Sequence, residues 1–356
     1  MGGIEQLIHQ IAVGCNKQGI QTDVLSLTAD RAARTIEMDG YLAHRAPLDF
    51  QIASTGFSLS AFAKFTQLAK QADVIHYQFP WPFMDIVHFA TRMHKPTLVT
   101  YQSDIIRQKH LLKLYRPLMN KFLGSVDRIV ATSPNYLATS DTLHRFADKV
   151  SVIPIGLDRA TYPQPQPERL RYWREKLAPR FFLFIGVLRY YKGLHILLQA
   201  ALDTDYPIVI VGAGPIEGEL KAQARKLGLH NIHFLGQVSD ADKVALLTLC
   251  YGIVFPSHLR SEAFGISLLE GAMFGKPMIS SEIGTGTTFI NIGGETGLVV
   301  PPSDPVALRQ AMRYLWDHPE QAALMGQRAA VRYAQHFTAG QMVQSYVALY
   351  RELAGR

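Results

Sequence analysis

Cysteine is almost missing from this chain: Cys15 and Cys250 are the two in 356 residues. So placed, they form neither a disulfide framework nor a Cys-x-x-Cys metal or redox pair. The 13 histidines include no His-Glu-x-x-His and no cluster with metal-ligand spacing. Long apolar runs are missing as well. The longest, over 181–188, falls well short of the roughly 18–20 residues that span a bilayer. The opening Met1-Gly2-Gly3-Ile4-Glu5 has no basic segment followed by an apolar one, so no secretory signal is expected. There is no low-complexity tract and no short-period repeat. With 48% apolar and 18% charged residues, disorder, collagen and coiled coil are excluded. What remains is a cytoplasmic protein with two domains of roughly 150–200 residues each.

What is present alternates between strand and helix. Short β-branched runs over 24–27, 73–77, 97–100 and 127–131 read as strands, with helical periods between them. The second half repeats the theme, with strands over 181–186, 207–211, 232–235, 251–255, 277–280 and 297–300 and helices over 194–202 and 218–226. Alternation of this kind implies parallel sheets with helices on both faces. The boundary falls where Ile155-Gly156-Leu157-Asp158 ends a strand and Tyr162-Pro163-Gln164-Pro165-Gln166-Pro167 follows as a semi-rigid linker. The net charge is +7. From Arg92 to Lys121 the basic residues Arg92, Lys95, Arg107, Lys109, Lys113, Arg116 and Lys121 face a single acid, Asp104. Such a surface suits anionic lipid, phosphate or nucleic acid. Nucleic acid is disfavoured, because only Tyr115 and Phe122 interleave the cations after Arg107 and a core role explains both.

Two Asp-x-Asp triplets, Asp203-Thr204-Asp205 and Asp240-Ala241-Asp242, could in principle hold a divalent ion on a diphosphate. The first precedes a strand, the wrong edge of a parallel sheet for ligands. The second follows Ser239 and reads as helix capping. Gly212-Ala213-Gly214-Pro215 has Glu217 where a dinucleotide fingerprint needs its third glycine.

Three loops stand at carboxyl edges of strands, where ligands bind. Ser261-Glu262-Ala263-Phe264-Gly265-Ile266-Ser267-Leu268-Leu269-Glu270 offers two carboxylates and the start of a helix, whose free N–H groups favour phosphate. By spacing alone, Glu262 and Glu270 as sugar ligands and as ordinary acids on a solvated face are equally tenable. Gly186-Val187-Leu188-Arg189-Tyr190-Tyr191-Lys192-Gly193 supplies two cations, and Ser280-Ser281-Glu282-Ile283-Gly284-Thr285-Gly286-Thr287 supplies small residues with free N–H groups.

Taken together these loops resemble a known family. Glu262 to Glu270 matches the Glu-x7-Glu signature of the retaining GT-B glycosyltransferases of family 4. Lys192-Gly193, Gly212-x-Gly214-Pro215, Gly2-Gly3-Ile4-Glu5 and Gly297-Leu298-Val299-Val300-Pro301-Pro302 stand in the family's order. The resemblance covers nearly the whole chain. Within the family, Phe79-Pro80-Trp81-Pro82, Ser103-Asp104-Ile105-Ile106-Arg107-Gln108-Lys109 and Ile283-Gly284-Thr285-Gly286-Thr287 resemble bacterial O-antigen and exopolysaccharide mannosyltransferases.

The resemblance implies an α/β chain of two Rossmann-like domains facing a cleft. Residues 1–160 would bind acceptor, joined by a C-terminal helix over 340–356, and 161–339 would bind the nucleotide sugar. It implies transfer of a sugar, mannose from GDP-mannose, onto a lipid-linked oligosaccharide at the inner face of the cytoplasmic membrane in lipopolysaccharide synthesis. No cofactor and no metal are expected. Arg189 and Lys192 would neutralise the diphosphate and Glu262 would hold the transferred sugar. Phe264, Gly265 and Ile266 would offer backbone N–H groups, and Glu270 would bind the ribose. Gly3 would approach the diphosphate from the other domain, and Val238 would lie beside the base. The family's usual arginine five residues before the lysine is Val187 here, and Gln102 stands where the family often has histidine against the donor sugar. Glutamine can hydrogen-bond a hydroxyl but cannot titrate. A UDP- or dTDP-sugar donor, a sugar-nucleotide epimerase and a non-catalytic nucleotide-sugar binder stay open as alternatives.

Two further expectations follow. Glu262 lies in a loop, so Glu262→Ala should abolish transfer and leave folding intact. The helix over 4–18 has no strand before it, although a βαβ unit needs one. The N-terminal sheet is therefore expected to lack its first strand, with roughly 15–25 residues belonging upstream.

Overall fold

The computed structural model describes residues 3–52, 55–105 and 109–355. The chain divides into two compact units, 1–156 with 339–356, and 157–338.

The second unit is a single sheet of six parallel strands: β10 (Phe182–Ile185), β11 (Ile208–Val211), β12 (Ile232–Gly236), β13 (Gly252–Phe255), β14 (Met278–Ser281) and β15 (Gly297–Val300), numbered after the nine strands found among the described residues of the first unit. Their order is β12-β11-β10-β13-β14-β15. This is the doubly wound arrangement, and its strand order reverses between β10 and β13. The strands are buried runs because helices cover both faces. Phe182, Phe184, Ile210, Val254 and Ile279 anchor a core that takes in Leu194, Leu197 and Leu198 of the helix Leu194–Ala200 and Leu308, Met312 and Leu315 of the helix Pro305–Asp317. The proline-rich segment belongs to this unit rather than standing outside it. Tyr162 is buried, and Pro167 opens the helix Pro167–Lys176, where its missing N–H costs nothing.

The first unit is less regular. Strands β6 (Ile75–Phe79), β7 (Thr97–Tyr101), β8 (Arg128–Ala131) and β9 (Val150–Val152) form a parallel sheet in sequence order. A separate sheet has β1 (Asp23–Thr28) parallel to β3 (Tyr41–Pro47), with β2 (Arg34–Met38) antiparallel on its other side. The short strands β4 (Phe50–Ile52) and β5 (Thr55–Phe57) pair antiparallel. Among the described residues no strand precedes the helix Gly3–Asn16, and none bridges β1 to β6. The reading by β/α alternation missed β2 and β3. They are joined at Asp39-Gly40, both with positive φ (39° and 93°), the two-residue turn that matches the twist of paired strands. The last helix, Ala339–Leu353, packs on Gly3–Asn16, where a side chain at Gly14 would overlap Val343. Tyr346 and Tyr350 of that helix bond Thr100 (2.8 Å) and His76 (2.6 Å).

Candidate active site

All loops that follow strands of the six-stranded sheet emerge at one edge, because the strands are parallel. The loop after β10 and the loop after β13 flank the reversal point. Their close contact requires glycine. Gly193 has φ 70°, and a Cβ on it would lie 2.0 Å from the Pro256 carbonyl oxygen. Gly212, at the end of β11, would put a Cβ 2.0 Å from the Gly186 carbonyl. The Gly212-x-Gly214 pair is thus explained by backbone packed against backbone, with Leu188 N donating to Ala213 O at 3.0 Å.

This packing brings together two side chains that are 70 residues apart. The Lys192 ammonium donates to Glu262 Oε2. Lys192 is 9% exposed and Glu262 8%, which excludes a solvated face for this carboxylate. Ser257 Oγ donates to the same Oε2 at 3.2 Å. Glu262 is therefore a buried charge in a network, and truncating it leaves Lys192 buried without its partner. That corrects the expectation that Glu262→Ala leaves folding untouched. Arg189 lies on the same loop but is exposed, and its side chain makes no ion pair or hydrogen bond among the described residues.

The helix Ile266–Met273 begins just beyond Gly265, which has φ 99°. Ser267 Oγ ties this helix to β10 through the Ile185 carbonyl at 2.6 Å. The N–H groups of Phe264, Gly265, Ile266 and Ser267 donate to no other group of the described chain. They form an unpaired donor cluster at a helix start, which suits an anion. Phe264 itself is buried against Phe337. Gly286, in the loop after β14, closes onto this segment with its N–H on the Ala263 carbonyl at 2.8 Å.

Glu270 is the fifth residue of that helix, and its side chain is 5% exposed. Tyr162 Oη donates to Glu270 Oε1 at 2.9 Å, and Lys243 Nζ lies 3.1 Å from the same oxygen. Sequence reasoning named neither partner. Tyr162 sits in a proline-rich stretch that reads as linker, and Lys243 sits in an ordinary amphipathic helix. Val238 is half-buried between β12 and the helix Asp240–Leu249.

Asp240 and Asp242 play the structural part expected of them. Ser239 Oγ accepts from Asp242 N at 3.1 Å, and Asp242 accepts from Trp173 Nε1 at 3.0 Å. Asp203 sits in a turn with φ 56°. Among the described residues no group of three or more His, Cys, Asp or Glu side chains could hold a metal ion.

Gly3 and Gln102 belong to the first unit. Gly3 is the exposed first residue of its helix, and Gly2 lies outside the described residues. Gln102 follows β7 and is 8% exposed. Its N–H donates to the Phe79 carbonyl at 2.9 Å and its side-chain amide to Gln78 Oε1 at 2.7 Å.

Comparison with known proteins bears on the whole chain. Residues 1–161 match the family described as Glycosyltransferase Family 4, and residues 167–332 match Glycosyl transferases group 1. The chain is 66% identical over 339 residues to the D-rhamnosyltransferase WbpZ of Pseudomonas aeruginosa, covering 95% of this chain and 89% of that one. It is 49% identical over 352 residues to the O-antigen chain mannosyltransferase C of Escherichia coli, covering 99% and 95%. Among solved structures, the sucrose-phosphate synthase of Thermosynechococcus elongatus superposes with a TM-score of 0.83 at 22% identity, covering 99% of this chain and 94% of that one. Anabaena HepE, in complex with UDP and glucose, superposes with a TM-score of 0.76 at 20% identity, covering 98% and 95%. With its fold, its Glu262-to-Glu270 segment and these relatives in agreement, the chain belongs to the family 4, group 1 glycosyltransferases of GT-B fold.

Proposed function

We propose that this chain is a retaining transferase that moves mannose or D-rhamnose from a nucleoside diphosphate onto a lipid-linked glycan during O-antigen synthesis. The observation that carries the reading is the buried Lys192–Glu262 pair at the strand-order reversal, beside the unpaired N–H groups of Phe264 to Ser267. Relatives at 66% and 49% identity support the sugar class. D-Rhamnose differs from D-mannose only in lacking the C6 hydroxyl, so a few contacts separate the two donors. A GDP donor is the first choice.

The roles follow from the chemistry of each group. Glu262 accepts hydrogen bonds from hydroxyls of the transferred sugar through its free Oε1. The N–H groups of Phe264, Gly265 and Ile266 and the ammonium of Lys192 stabilise the charge that grows on the leaving diphosphate. Arg189, exposed and unpaired among the described residues, is free to join them. Glu270 takes the ribose, and Val238 lies beside the base. In this reading the departing phosphate oxygen receives the acceptor hydroxyl's proton. No step needs a metal.

The test is a screen of GDP-mannose, GDP-D-rhamnose, UDP-sugars and dTDP-sugars with a lipid-linked acceptor, measuring nucleoside diphosphate release and glycan extension. Release with extension is expected from one of the two GDP-sugars, undiminished by EDTA. Donor isomerised or hydrolysed without acceptor would replace the transferase by an epimerase or hydrolase. Loss of activity in EDTA, restored by Mg²⁺ or Mn²⁺, would overturn the metal-free route.

Among the described residues no helix is long and apolar enough to cross a membrane, so a lipid-linked acceptor must be met from the surface. The helix Lys109–Ser125 is the candidate contact, although Arg107 lies outside the described residues. Its Met119, Phe122 and Leu123 are buried in the unit and are not available to lipid, which narrows the contact to Lys113, Leu114, Arg116 and Lys121. Leu114 is 80% exposed. Cations near an anionic leaflet are worth about 1 kcal/mol each. Reversing Lys113, Arg116 and Lys121 to glutamate should abolish co-sedimentation with phosphatidylglycerol vesicles, and unchanged binding would remove this helix from the contact.

A further inference from the structure

The two carboxylates of the Glu-x7-Glu segment are held in the same manner. On Glu262, an ammonium (Lys192) and a hydroxyl (Ser257) both occupy Oε2. On Glu270, a hydroxyl (Tyr162) and an ammonium (Lys243) both occupy Oε1. Each carboxylate thus has one oxygen filled by two donors and the other without a partner among the described residues. Neither free oxygen is among the fully buried unpaired atoms, so both are open to a ligand.

The fixing of Glu270 is elaborate. Its two donors come from different elements, the segment before Pro167–Lys176 and the helix Asp240–Leu249. They also brace each other, with Lys243 Nζ 5.0 Å from the centre of the Tyr162 ring. Tyr162 meets the Phe274 ring at 6.4 Å, and Asp240 holds Lys243 from its other side at 3.5 Å. Burial pulls the Lys243 ammonium down, but the Glu270 and Asp240 carboxylates outweigh it and hold it above the usual lysine value, so it remains a cation.

We propose that Tyr162 and Lys243 are positioning residues that turn Glu270 into a one-sided acceptor for a vicinal diol, and so select ribonucleotide over 2′-deoxyribonucleotide donors. The proposal rests on the reading that Glu270 faces the donor's ribose. A carboxylate oxygen has two acceptor sites. With Oε1 filled, Oε2 alone is presented, and its two sites match the two adjacent hydroxyls of a ribose. A 2′-deoxyribose satisfies one of them and leaves the other empty on a buried charge, which a polar site penalises more than an apolar one. Without its two donors, the carboxylate group rotates and both oxygens lose their fixed direction.

The test compares binding of GDP with 2′-deoxy-GDP, and of UDP with 2′-deoxy-UDP, to the full chain by titration calorimetry. Wild type should prefer the ribose form of its base about tenfold, the worth of one hydrogen bond to a charged group. Tyr162→Phe keeps the ring on Phe274 and removes only the hydroxyl. It and Lys243→Met should bring the ratio close to one, and Lys243→Arg should restore most of it. Thermal melting of each variant checks folding. If both sugars weaken equally and the ratio stands, Tyr162 and Lys243 are merely structural and the proposal is overturned. Glu270→Gln separates the two levels. If Glu270→Gln loses the preference while Tyr162→Phe and Lys243→Met keep it, only the positioning roles fall. If Glu270→Gln keeps it, or wild type binds none of the four nucleotides, the ribose reading falls and this proposal with it.

Discussion

Glu262→Gln should lower the rate of sugar transfer by about 10²–10³-fold, the usual cost of removing one preorganised electrostatic group from a reaction site, with a small change in melting temperature. Glutamine keeps the shape of the side chain and can still accept from Lys192 and Ser257, but it carries no charge. Glu262→Ala should be both inactive and less stable. It leaves Lys192, 9% exposed, without its carboxylate, and breaking a buried pair from one side costs about 3–5 kcal/mol. Pairing it with Lys192→Met should recover most of that stability and none of the activity, because the leftover charge is gone but the sugar ligand is not replaced. Transfer rates and melting curves on the four proteins separate the effects. A Glu262→Gln enzyme that transfers at nearly the wild-type rate would show that the reacting sugar is held elsewhere.

Raising the pH from 5 to 8 should destabilise the first unit through Asp85, and Asp85→Asn should remove that loss. Asp85 is 1% exposed in the helix Pro82–Thr91, and burial pushes its carboxyl up to about 7, opposed by the hydroxyl of Tyr115 that donates to it. The folded chain then holds a proton that the unfolded chain, with an ordinary carboxyl near 3.8, has already lost. Stability from this group is complete below about pH 4 and declines as pH rises through about 7. The difference of about three pKa units corresponds to about 4 kcal/mol. His76 acts in the opposite sense. Burial takes it down to about 3, so it costs stability as the solution becomes acid. The comparison of Asp85→Asn with wild type isolates the carboxyl, because His76 is common to both. Between pH 5 and pH 8, where about two of the three units fall, wild type should lose about 3 kcal/mol more stability than the variant in urea titrations. Parallel pH dependences for the two proteins would mean that Asp85 ionises in the folded chain much as it does in the unfolded one.

The strands of the second unit were readable because each is a short β-branched run between helical periods, and the observed β10 to β15 fall within about a residue or two of those runs. The loops after β10, β13 and β14 were readable for the same reason, since the end of a parallel strand marks the ligand edge. In the first unit strict alternation of strand and helix does not hold. Asp39-Gly40 announces a hairpin, and Arg34–Met38 pairs antiparallel to Tyr41–Pro47. The helix Lys109–Ser125 has an apolar stripe that sequence alone could assign to core or to lipid, and contact with the unit's interior took most of it.

The sequence by itself determined the fold class, the two-part organisation and which loops carry charge and glycine, because these depend on periodicity and on residue types that act locally. Only the tertiary structure decided who meets whom. Lys192 and Glu262 pair because β13 lies beside β10 in the sheet, although two strands separate them in the chain. Tyr162 and Lys243 meet on one oxygen of Glu270 although they stand 81 residues apart. Periodicity says which face of a strand or helix turns inward. It does not say which strand will be the neighbour, since that is settled by the crossovers of the whole sheet and the packing of helices over it. The buried partners of a charge are a property of that packing.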